Sequence, residues 1–220
     1  MQSANINSRI PCEVGFFAAL AAFAATALFG IAQLLQILHA LRPPLDGILI
    51  FSFSLCIAFP FLIAMLALHY ASPTSRKFWS GAALSFSIIY ATYVTLNYTV
   101  QLATVIPAAR AGTLNQMRVL DQTPHSLFWD VDALGYICMG LATLFGSFVF
   151  SGHGISKWAR SFFLANASMT PLVALVYFYP TFSVPLLMLA SPWIVTAAGS
   201  MLCLAIHFKS NDSPVPQLKS

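Results

Sequence analysis

Six long apolar runs, at 14–41, 47–70, 79–107, 124–150, 159–179 and 185–207, carry nearly all of the chain's charged residues at their ends. Each run holds 21 to 29 residues, against the roughly 20 that a helix needs to cross the hydrocarbon of a bilayer. A buried soluble helix is usually shorter and apolar on one face only. The pattern therefore predicts an all-α integral membrane protein: one membrane domain over 1–220, a bundle of six transmembrane helices with short loops, and a short cytoplasmic tail at 208–220. Composition agrees. With 59% apolar and 7% charged residues, the chain falls far below the approximately one-quarter charged content of soluble domains.

The breaks between runs have identifiable chemistry. Arg42-Pro43-Pro44 ends the first, because proline lacks the amide proton and restricts the residue before it. Ser72-Pro73 and Ser151-Gly152-His153-Gly154 separate later runs, and Pro180 and Pro185 bracket a tight turn that makes the last two helices antiparallel neighbours. Thr123-Pro124 is expected to start the fourth helix, with a hydroxyl N-cap and proline at the first helical position. Arg9 and a later Ala25-Thr26-Ala27 mimic a cleavable signal, but the apolar run continues to Leu41. It is too long for a signal core and is expected to remain as the first helix.

Charge sets an orientation. Six spans put both termini on one side, together with Arg9, Arg76, Lys77, Lys157, Arg160, Lys209 and Lys219. The other side holds Arg42, Arg110 and Arg118, with Asp46, Asp121, Asp130 and Asp132. Short loops rich in Lys and Arg stay in the cytoplasm, so both termini are expected there, in a cell membrane of the bacterial cytoplasmic type. Trp79, Trp129 and Trp158 lie at span starts, where an amphipathic ring favours the interface. The dispersed cations serve topology rather than nucleic-acid binding. Of three Asn-x-Ser/Thr sequons, those at Asn97 and Asn166 fall inside spans and that at Asn211 in the cytoplasmic tail, so none is expected to carry a glycan.

Polar residues inside the spans are the functional candidates. At 100° per residue, Tyr90, Tyr93, Asn97, Gln101 and Thr104 share an arc of about 80° on the third helix. Lipid would leave their polar groups unpaired, so the stripe faces other helices or a wet cavity. On the fourth helix Asp130 and Asp132 point about 160° apart and cannot serve one site. Asp132 lines up with Tyr136, Thr143 and Ser147 and is expected to face the bundle, with Arg110, Arg118 or His125 as available partners. Both acids also suit the positive end of a helix. Gly135, Gly140 and Gly146 permit close helix packing. Gln33 and Gln36 place more polarity near the outer end of the first helix.

Together these residues predict an outward-facing polar pocket between the first, third and fourth helices, with Gln33, Gln36, Tyr93, Asn97, Gln101, Asp132 and Tyr136 as ligand-binding candidates. Neither catalytic residues nor a cofactor are expected. The four cysteines, at 12, 56, 138 and 203, form no CxxC or Cys/His motif, so neither a disulfide scaffold nor a metal site is expected. His69, His153 and His207 collect near the cytoplasmic helix ends without a metal-binding spacing. Pro60, Pro171 and Pro192 interrupt spans, as proline often does in membrane helices.

Three functions remain. The leading expectation is binding or transport of a small molecule in the outward pocket. The alternative is an accessory subunit packed on a membrane-protein partner, or a homo-oligomer. A membrane enzyme using Asp132 and His125 has the least support, since no nucleophile–base set stands at a usable spacing.

Overall fold

The structure is a computed structural model describing residues 2–212, with side chains described for 10–210. Lys219 and the tail from residue 213 lie outside the described residues, as do the side chains of Arg9, Asn211 and Asp212. The described residues contain no strand and are 84% helical.

Nine α-helical segments among the described residues assemble into six columns. The first two are α1 (Gln2–Ile37) and α2 (Leu45–Ala71). The third runs from α3 (Lys77–Val100) through one π-helical stretch (Gln101–Val105) into α4 (Ile106–Arg110). The fourth is α5 (Leu127–Ser147), the fifth α6 (Gly154–Ser168) with α7 (Thr170–Phe178), and the sixth α8 (Val184–Leu189) with α9 (Pro192–Asp212). Five columns are long and apolar enough to cross a membrane. The third is long enough, but its Ser, Thr, Tyr and Asn residues dilute its apolar content.

The columns close into a ring. Each packs on the next in sequence, and α9 returns to pack on α1. Small residues allow the close approaches: Ala18, Ala19, Ala22 and Ala25 are buried along α1. Gly135 lies against Val94 of α3, Gly140 against Thr170, and Gly146 against Phe163 and Met65. Connections are short except for residues 111–126, which carry two single-turn 3-10 helices.

Local chemistry moves several boundaries from their expected positions. The first helix ends at Ile37 rather than Leu41 because His39 takes φ +57° and turns the chain out of the helix. The fourth helix starts at Leu127 rather than Pro124. His125 adopts φ +67°, which a growing helix cannot accommodate, and Ser126 is the cap, its Oγ accepting from Trp129 N at 3.2 Å. The three span prolines do not all behave alike. Pro60 stays within an unbroken α2, whereas Pro171 and Pro192 coincide with the α6–α7 and α8–α9 breaks.

The end of the ring nearest the N-terminus is filled. Phe61, Met65, Met139, Phe163, Met201 and Phe208 are fully buried. Its cations close helix ends: Arg76 donates to the Val149 carbonyl and Lys77 to that of His69, carbonyls that a helix C-terminus leaves unpaired. His69 is hydrogen-bonded to Ser80 at 3.0 Å and His207 to Ser156 at 3.1 Å. Among the described residues no three His, Cys, Asp or Glu side chains gather as metal ligands, and no disulfide joins the described cysteines.

Candidate functional site

At its other end the ring surrounds an open cavity of about 510 Å³. The walls come from the C-terminal parts of α1 and α3, from α7 and α8, and from the N-terminal parts of α2, α5 and α9, with Gln122, Pro124 and Phe182 added from loops. The wall carries eight aromatic residues beside a similar number of aliphatic ones. Phe182, Trp129 and Tyr177 form one connected group, with Trp129 and Tyr177 ring centroids 4.5 Å apart. Phe29, Trp193 and Tyr136 form another, in which Tyr136 meets Trp193 edge-on at 4.7 Å. Tyr98 joins the second group through a 2.9 Å hydrogen bond between its hydroxyl and that of Tyr136.

Asp132 is the carboxylate in this wall, and no Lys, Arg or His is among the described lining residues. Helix geometry explains the setting: Trp129 lies three residues before Asp132 and Tyr136 four after, so all three occupy one face of α5. Asp132 is only 2% exposed, whereas Asp130, on the opposite face, is half-buried. The partners of Asp132 are neutral. Asn97 donates from Nδ2 to Oδ1 at 3.0 Å, and Tyr177 donates its hydroxyl proton to Oδ2 at 2.5 Å. Trp129 fixes that tyrosine by donating from Nε1 to the Tyr177 carbonyl at 3.1 Å, filling a vacancy at the end of α7. The cationic partners considered for Asp132 make no ion pair with it, and His125 is an exposed loop residue outside the cavity wall.

The seven candidate residues divide into three groups. Gln33, Gln36, Asp132 and Tyr136 line the cavity. Gln33 donates to Gln36 at 2.9 Å and Gln36 to Asp46 at 3.0 Å, a chain that ties the end of α1 to the start of α2. Asn97 and Gln101 are fully buried behind the wall and hold it in place. Asn97 bridges Asp132 and the Gln122 side chain, each at 3.0 Å. Gln101 clamps the following loop with both ends of its amide, donating to the Leu120 carbonyl at 2.8 Å and accepting from Gln122 N at 3.2 Å. Tyr93 stands apart from the cavity, where α3 passes Gly135.

Several wall residues were not among the sequence candidates: Tyr98, Gln122, Trp129, Tyr177 and Trp193. Trp129 had a signal in its spacing from Asp132, although its place at a span start reads equally well as an interfacial ring. Trp193 had one too, as the tryptophan away from a span start. Its indole N–H is buried with no hydrogen-bond partner among the described residues. Tyr177 and Gln122 reach the site through the α7 end and the loop fold, which no periodicity reports.

Deeper in the bundle a second polar cluster crosses three columns. Asn166 donates to Thr143 at 3.1 Å and accepts from Thr196 at 3.2 Å. Its polar atoms are thereby used between α6, α5 and α9, which is the role of interhelical adhesion.

No protein-family model, curated protein or solved structure matches this chain.

Proposed function

We propose that the protein binds a small molecule in this cavity. With both termini in the cytoplasm, as the distribution of cations favours, the cavity opens toward the outer face of a cell membrane. The observation that carries the reading is the combination of an approximately 510 Å³ chamber, aromatic walls and one buried carboxylate held by positioned donors. Ligand sites are typically concave, mostly apolar and furnished with a few convergent polar groups. A chamber of this size takes a molecule rather than an ion.

The deciding experiment is gentle extraction followed by mass spectrometry of bound small molecules, on the unmodified chain and on Ser191→Phe. Ser191 lines the cavity and is small, so phenylalanine there occupies ligand space. A molecule that accompanies the unmodified protein and is lost from a folded Ser191→Phe protein supports the reading. Stoichiometric recovery with a larger membrane complex, and no cavity molecule, would replace it with the accessory-subunit function. A reporter fused at the C-terminus tests the orientation separately, with cytoplasmic placement expected and an external reporter overturning it.

A further inference from the structure

Resting on that reading of the cavity as a ligand site, we propose that its ligand is an amphipathic organic cation: a protonated amine or quaternary ammonium with an apolar body. The charge balance of the wall points there first. Asp132 brings a carboxylate into an almost water-free position, and its partners Asn97 and Tyr177 are neutral. Neutral donors solvate the anion without cancelling its charge. A buried charge without a counterion is costly, and a cationic ligand supplies the missing charge. Asn97 and Tyr177 bond to different oxygens of the carboxyl group, Oδ1 and Oδ2, and the neutral side chains of Tyr98 and Gln122 face the same group.

The walls select the kind of cation. Trp129, Tyr136 and Tyr177 surround Asp132, on its own helix face or bonded directly to it. The faces of such rings attract weakly hydrated cations. A hard metal ion needs about six to eight oxygen ligands or an octahedral shell, which one carboxylate among rings cannot provide. An anionic ligand would meet an uncompensated like charge. Beyond the carboxylate, Ile50, Leu187 and Ile194 continue the wall as aliphatic surface, which suits a hydrocarbon body attached to the charged head. Asp46, linked through Gln36 to the lining, adds a second carboxylate near the α1–α2 junction.

The test compares three ligands of one shape and different charge: phenylbutylamine, phenylbutanol and phenylbutyrate. Binding to the full chain is measured by thermal shift and tryptophan fluorescence in a non-ionic detergent at neutral pH. The amine is expected to bind about tenfold or more tighter than the alcohol, from a charge-assisted hydrogen bond and ring contacts, with the carboxylate form weakest. Asp132→Asn is expected to level amine and alcohol, while Asp132→Glu, which keeps the charge, retains the preference. The amine-to-alcohol ratio of the unmodified protein needs no variant and decides the matter even where Asp132→Asn does not fold. Equal binding of amine and alcohol, or a preference for phenylbutyrate, overturns the cationic assignment and leaves the cavity as a binding site. Binding of none of the three, with no molecule displaced by Ser191→Phe, overturns both.

Discussion

Asn97 Nδ2 reaches across the α3–α5 contact to Asp132 Oδ1 at 3.0 Å, while its own buried carbonyl oxygen has no hydrogen-bond partner among the described residues. The orientation of this amide is therefore set by what its nitrogen does: it serves both Asp132 and Gln122. Asn97→Leu should remove a donor from a buried carboxylate and cost about 1–2 kcal/mol, in the range for an unsatisfied buried polar group. In the double variant with Asp132→Asn the losses should fall short of additive, because both remove one contact. Thermal unfolding in detergent measures all three, and strictly additive losses would show that the two residues are not coupled.

The clamp formed by Gln101 predicts a local effect. Gln101→Leu deletes both bonds to the loop, at Leu120 and Gln122, but leaves the columns packed. Amide hydrogen exchange over 117–123 should accelerate while exchange in the middle of α2 stays unchanged, since stability is distributed locally. Unchanged loop protection would mean that other contacts hold the segment.

Gly140 is required by shape. A β-carbon there would collide with the Thr170 hydroxyl, at the α6–α7 break. Gly140→Ala should cost about 1–3 kcal/mol, the usual range for overpacking. Adding Thr170→Ala should recover part of that loss by removing the colliding oxygen. Thermal stability of the single and double variants checks both statements.

His39 offers the opposite case. It is exposed, holds φ +57° and ends α1. Glycine adopts that conformation without a side-chain clash, so His39→Gly should stabilise the protein by about 0.5–1 kcal/mol, part of the left-handed penalty being offset by chain entropy. Lower thermal stability of this variant would show that the imidazole makes a contribution larger than the relieved strain.

Much of the architecture was legible from the chain. Runs of membrane length fixed the columns, and glycine positions on the fourth run marked three close contacts, at Val94, Thr170 and Phe163. The 160° separation of Asp130 and Asp132 correctly distinguished the half-buried acid from the buried one. Helical periodicity carries such information because it relates residues on a single helix. It reports which face a side chain occupies and nothing about the neighbour that face meets. Asn97 and Gln101 illustrate the difference. Their polarity marked them as inward, but whether they line the cavity or brace its wall depends on where residues 118–122 fold back against α3.

The sequence by itself determined that this chain is all-α and membrane-compatible, and that Asn97, Gln101 and Asp132 face inward. Hydropathy and helical phase are local properties and need no knowledge of other segments. Only the tertiary structure decided that the columns close into a ring and that Tyr177 and Trp193 join Asp132 around one cavity. It also decided that the carboxylate is met by neutral donors instead of an arginine. Those outcomes depend on the α6–α7 and α8–α9 breaks and on the path of the loop before α5, where packing between distant residues sets the geometry.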